Sequence, residues 1–339
     1  MRTRFQLFDR REFLNAAGKM GVAFGLIGAA SKSSSTSSGA TNPFSYDLSQ
    51  AAKTDPALIK YESAGKWKAG RKEPGRVAIG NDQRLYVCAG NYVTAYSLGG
   101  EQLLELALPA AATCVAASGD GTVFAGTRDH VEVYDATGKR AATWESAGRK
   151  SWLTGLAAAG NDVFAADSGN RVILRYDRSG KVIGRIGEKN AERNVPGFVV
   201  PSPYLGVAIH GDGLLRVNNP GRHQVEAFTC DGDFEGAWGK PSAAIEGFCG
   251  CCNPVALALL PDGRIVTGEK GLPRVKVYSA SGEFECVVAG PELFPENARA
   301  CSDLNDCTHG GLNVAADKAG NIYVVDRVTQ WIRVMKPKI

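Results

Sequence analysis

The chain has 339 residues, 44% hydrophobic and 22% charged, a balance that fills a sizeable core and excludes a wholly disordered protein. Its 39 Lys and Arg against 35 Asp and Glu leave a net charge of +4 with no basic stripe, which argues against nucleic acid as a partner. One large all-β ring and two ordinary domains both fit this length, so internal repeats decide between them.

Residues 1–30 contain "FDRREFLNAAGKMGVAFGLIGAA": the pair Arg10-Arg11, then Phe13-Leu14, a weakly apolar run from Met20 and small residues at Gly28, Ala29 and Ala30. This order resembles a twin-arginine export signal. The apolar run is too short to span a bilayer comfortably, so cleavage after about Ala30 is expected, with an uncleaved membrane anchor as the alternative. No cysteine follows it, so lipid attachment is not expected. Such a signal implies a periplasmic or otherwise extracytoplasmic protein that folds before it crosses, in time to receive a cofactor in the cytoplasm. Residues 31–54 open with "SKSSSTSSGATNP", a Ser-rich stretch without apolar periodicity that reads as a solvated linker.

From residue 55 onward one phrase recurs: an alternating apolar run, a Gly/Asp/Asn turn, a second β-rich run, a loop, a third run ending in an aromatic, a Gly turn and a fourth run. "CVAASGDGTVFAGTRDHVEVYDATGKRAATW" from Cys114 and "GLAAAGNDVFAADSGNRVILRYDRSGKVIGRIG" from Gly155 superpose almost phrase for phrase. Further copies begin at Val77, Gly206, Val255 and Leu312. A period of roughly 40 to 50 residues with four short strands predicts the blades of a β-propeller. The copy from Leu312 stops after its third run, whereas "LIKYESAGKWKAG" from Leu58 reads as an orphaned blade end. The N-terminal strand is therefore expected to complete the last blade and close the ring.

"DSGNRVILRYDRSGKVI" (Asp167 to Ile183) and "EKGLPRVKVYSASGEF" (Glu269 to Phe284) resemble the NHL-repeat family, over roughly residues 55–339. The resemblance implies an all-β, six-bladed propeller. It leaves activity open, because that family includes protein-binding modules, carbohydrate-interacting domains and lyases. The export signal together with "FCGCCNP" and "EKGLPRVKVY" resembles a group of secreted bacterial NHL proteins.

In a propeller, each connection from the rim strand of one blade to the inner strand of the next crosses one face, and the loops between second and third strands return to it. Three such connections are long: "EKNAERNVPGFVVPSPYL" into blade four, "KPSAAIEGFCGCCNP" into blade five and "PELFPENARACSDLNDCTHGG" into blade six. Long connections mark a candidate functional face. Cys249, Cys251 and Cys252 lie in the second, Cys301, Cys307 and His309 in the third, and adjacent blades are expected to bring them together at one channel mouth. Three readings stay open. The five cysteines staple the blades as disulfides with no cofactor; they hold an iron-sulfur cluster; or with His309 they hold copper or zinc. No haem attachment motif is present.

Asn253 and the expected charged pair Glu269 and Lys270 support this face. Asp167, Asn170, Arg171, Asn218, Asn219 and Asp326 reach it too, with the bonding of loop backbones as their first reading. His130 and His223 lie in second-to-third-strand loops without evident partners, and His210 is expected at the opposite face. Cys88 and Cys286 read as buried strand residues, Cys114 as the opening of an inner strand and Cys230 as a turn residue. Three functions follow: a binding or electron-transfer component with a protein partner in the periplasm or at the membrane, a cofactor-free scaffold for protein or glycan, or a metal-dependent lyase or hydrolase of the amidating-lyase or lactonase type. The third needs several inner-strand metal ligands, and four histidines at non-equivalent blade positions supply them poorly.

Overall fold

A computed structural model describes residues 51–209, 211–299 and 310–338. They form six four-stranded antiparallel sheets, five with their strands hydrogen-bonded in sequence order and the sixth completed by a strand from the N-terminal side. The blades span residues 74–107, 114–143, 153–186, 206–238, 256–289 and 312–337. Their inner strands lie side by side around a channel, and Leu312–Ala316 of blade six packs against Pro74–Ile79 of blade one. The six-bladed propeller expected from the repeat is the observed fold. Among the described residues no helix is long and apolar enough to cross a membrane.

Each blade follows the alternation of its sequence. Second strands such as Arg84–Ala89 are almost wholly buried between neighbouring sheets, whereas the rim strand Arg140–Thr143 is exposed throughout. Strands covered on both faces read as continuous apolar runs, while rim strands are the most exposed and inner strands such as Pro74–Ile79 are partly open to the channel.

Ring closure comes from the N-terminal strand Tyr61–Lys68, which pairs antiparallel with Trp331–Pro337 and becomes the outer strand of blade six. Its register sets Tyr61 opposite Pro337 and Trp67 opposite Ile332, with a bulge between Ser63 and Gly65. In sequence Tyr61–Lys66 (YESAGK) echoes Tyr134–Lys139 (YDATGK), but the pairing places the two one element out of phase. Tyr134 ends a third strand and Gly138 turns, but Tyr61 and Gly65 both lie within a fourth strand.

Trp67 also makes a seam that recurs around the ring. Trp67, Trp144 and Trp238, from blades six, two and four, cover the turn glycines Gly100, Gly180 and Gly282 of the next blade. A Cβ there would stand 2.6, 2.4 and 2.1 Å from the respective indole. These glycines have φ of 94°, 90° and 91°, so backbone shape and the flat indole both demand a residue without a side chain.

Candidate functional site

The connection into blade five is fixed from beneath by buried charge. Phe248 is fully buried and stacks near Trp238 and Tyr278, with ring centroids 6.1 and 5.7 Å away. Arg274 donates to the carbonyls of Ala243 and Gly247, and Lys276 Nζ donates to those of Ile245 and Gly247 at 2.9 and 2.6 Å. Both cations pair with Glu269: Arg274 Nη2 at 3.0 Å from Oε2, and Lys276 Nζ at 2.8 Å from Oε1, off the hydrogen-bonding direction. Burial pushes the Lys276 ammonium down to about 8, with Glu269 opposing the shift. A buried ion cluster that donates to four backbone carbonyl contacts holds a loop that has no regular secondary structure of its own.

This corrects the expected Glu269 and Lys270 pair. Glu269 faces inward to Arg274 and Lys276, while Lys270 turns the other way and holds its Nζ over the Tyr204 ring, 4.7 Å from the centroid. Neighbours in an extended chain point to opposite sides, so adjacency in sequence separates them in space.

Above the cluster sit the cysteines, Cys249 partly buried, Cys251 exposed and Cys252 buried. Asn253 shapes their turn. Its Nδ2 donates to the carbonyls of Cys249 and Lys270, and its Oδ1 accepts from the Lys270 amide at 3.0 Å. The Asn253–Pro254 peptide is cis. His223 also has a partner here, contrary to the sequence expectation: its Nε2 donates to the Gly250 carbonyl at 2.7 Å.

The Cys251 and Cys252 sulfurs are 3.2 Å apart. The hydrogen bond shared with Cys251, with Lys270 adding to it, draws the Cys252 thiol below its usual range against the opposing effect of burial. Burial pushes Cys249 the other way. Among the described residues no three metal-ligating side chains converge, so Cys249 does not complete a set with the other two.

Cys301, Cys307, His309 and His210 lie outside the described residues. The chain resumes at Gly310, whose carbonyl accepts from the Tyr204 hydroxyl at 2.8 Å, and at Gly311, whose amide donates to Asn297 Oδ1. A Cβ on Gly311 would lie 3.0 Å from Val255 and 3.5 Å from the Lys270 Cβ. The residues that follow His309 in sequence thus rest against Tyr204, Val255 and Lys270.

The remaining polar residues of this face bind loops. Asp167 accepts from the amides of Trp152, Gly169 and Asn170; Asn218 donates to the carbonyls of Tyr204 and Pro254; Asp326 accepts from Val328, Thr329 and Asn297. Cys88, Cys114 and Cys286 are buried in strands as expected, and Cys230 lies in a turn.

A cavity of about 420 Å³ opens at the mouth beside Tyr204, lined in part by Arg76, Trp152, Asn313 and Arg327. Sequence reasoning missed these residues because they belong to no motif and come from different blades, Arg76 and Asn313 from inner strands. Only Tyr204 had a signal, as part of the long connection into blade four. Below the mouth the channel walls are Val, Leu, Ile and Ala from all six inner strands.

The chain matches no protein-family model and no curated protein. Among solved structures it is similar to one titled "Streptogramin B lyase structure", 13% identical, with 84% of this chain and 100% of that chain covered and a TM-score of 0.56. The chain is thus a six-bladed β-propeller, and at this identity the likeness extends to the fold alone.

Proposed function

We propose that the propeller is an exported binding or electron-transfer component that holds a metal ion or iron-sulfur centre at the Cys251–Cys252 mouth. The observation that carries this reading is the sulfur pair itself: two side chains 3.2 Å apart, with Lys270 and the shared hydrogen bond favouring the ionised form of Cys252. Thiolate is the form of cysteine that ligates soft metals, and a neighbouring cation offsets its charge. Two donors are an incomplete set, so the remaining ligands are assigned to Cys301, Cys307 and His309, whose segment rejoins the described chain at Gly310 against Tyr204. When bound, such a centre supplies Lewis acidity or one-electron transfer. The chain's own part is to hold the sulfurs through Asn253 and to fix their loop on the Glu269 cluster.

The lyase reading has the shared fold behind it, but among the described residues the channel walls are mainly Val, Leu, Ile and Ala, which are not metal ligands. Protein folded in the cytoplasm and purified without oxygen tests the proposal. Expected are bound iron, copper or zinc, with visible absorbance for iron or copper, and loss of that metal in the double variant Cys251→Ala, Cys307→Ala. A metal-free protein whose thiols are blocked as disulfides would establish the scaffold instead.

A further inference from the structure

We infer that Cys251 and Cys252 form a thiol–disulfide exchange site, which takes electrons from small thiols and gives them to small disulfides by opening and closing a bond between the two neighbouring sulfurs. This activity goes beyond the metal reading and needs no metal.

The two sulfurs stand 3.2 Å apart, and a disulfide holds them at about 2.0 Å, so closure asks for a shift of about 1 Å. Asn253 pins the turn through the Cys249 carbonyl and both backbone groups of Lys270, so that shift falls to the two cysteine side chains. Exposure then divides the work between them. Cys251 is exposed, whereas Cys252 is 1% exposed and out of reach of a molecule in solution.

An incoming disulfide therefore meets Cys251 first. The Cys251 thiolate attacks one of its sulfurs, a mixed disulfide forms and one thiol leaves. Cys252, giving up its proton, then attacks the Cys251 sulfur from within; the second thiol leaves with the electron pair and the Cys251–Cys252 bond closes. Two cysteine thiols and one small disulfide have become one protein disulfide and two small thiols, which carry the two protons away. A small thiol attacking Cys251 runs the sequence backwards.

Backbone geometry favours exchange over a permanent staple. The Cys251–Cys252 peptide is trans, which sets the two Cα atoms about 3.8 Å apart. A relaxed disulfide spans about 4.4 to 6.8 Å between Cα atoms, so the bond between these neighbours is strained and readily reduced. It also joins no two segments of the ring. Strained and accessible disulfides are the ones that exchange.

The full chain, stripped of metal by a chelator and reduced, is incubated with oxidised glutathione, quenched in acid, alkylated and mapped by mass spectrometry. Expected is a peptide lighter by two hydrogens, with Cys249 alkylated and Cys251 and Cys252 not; millimolar reduced glutathione should restore both thiols. Cys252→Ser should keep one glutathione on Cys251, and Cys251→Ser should take up none at Cys252. The unaltered chain should also speed the reduction of hydroxyethyl disulfide by glutathione at least tenfold over Cys251→Ser. A bond from either cysteine to another peptide, a glutathione that stays on Cys251 in the unaltered chain, alkylation of all three cysteines, or a rate equal to that of Cys251→Ser each overturns the inference. Metal is assayed before the chelator is added, so either reading can fail alone.

Discussion

Asn253 does more for the sulfur face than any cysteine does. One amide side chain closes the turn on Cys249 and ties it to both the amide and the carbonyl of Lys270, and it is buried. Asn253→Ala leaves those three backbone groups without their partner at a cost of about 1 to 3 kcal/mol for each group that water cannot reach. The expected result is a lower melting temperature together with alkylation of Cys252, which is 1% exposed in the intact loop. Mass spectrometry after brief iodoacetamide treatment checks it; a variant whose Cys252 stays as unreactive as before would show that the loop is held by the Glu269 cluster alone. Gly180 supplies a second case. At φ of 90° with an indole against its Hα, Gly180→Ala must strain the backbone and push Trp144 aside. A loss of about 1 to 3 kcal/mol is expected in urea unfolding, and a neutral outcome would mean that the Trp144 seam gives way freely.

Among the elements, the strand Tyr61–Lys68 carries the most for its length. It covers the edge of Trp331–Pro337 and places Trp67 over Gly100 of blade one, so it seals blade six and joins the ring's two ends. Upstream, Ile59 bridges to Val287 and Thr54 bonds Glu292, which fastens the approach to blade five. A chain lacking residues 1–50 should therefore melt as cooperatively as the full chain, whereas one lacking residues 1–68 should lose its cooperative transition and bind a hydrophobic dye. Equal melting of the two would refute the closure role. This architecture was legible in the sequence because period-two patterning and Gly turns repeat in every blade, and an unfinished last copy needs a partner from elsewhere. The phase of the closing strand was not legible. Its Gly65 imitates the turn glycine of other blades yet occupies a bulge, and only pairing with Ile332 and its neighbours tells the two apart.

For the whole molecule, the site was legible in proportion to how far it followed the repeat. The face and the loop of Cys249 to Cys252 came from counting blades, whereas Arg76, Tyr204 and Asn313 meet only because six strand ends converge, which no local pattern records. The same convergence buries titratable groups in every blade, and this sets an alkaline limit. Burial pushes Cys114 and Cys286 from 9.0 up to about 12 and about 11, and Tyr61 and Tyr176 from 10.0 up to about 12. Tyr86, Tyr278 and Tyr323 are pushed in the same direction. An unfolded chain releases these protons first, so above about pH 9 the folded state binds more protons and stability falls as pH rises, by up to about 1.4 kcal/mol per group for each pH unit crossed. Lys276 works the other way. Its folded value of about 8 lies below 10.5, so the unfolded chain holds that proton longer and stability rises through the window between them. Arg76, lowered by burial from 12.5 to about 10, acts like Lys276 at the upper end of this range; the two cations oppose at least four thiols and phenols, so the loss wins. Urea midpoints under reducing conditions should hold near pH 8 and fall steadily from pH 9 to pH 11. Cys114→Ala with Cys286→Ala should flatten the first part of that fall, where thiols titrate and tyrosines do not; a slope unchanged by the pair would place the alkaline weakness elsewhere in the ring.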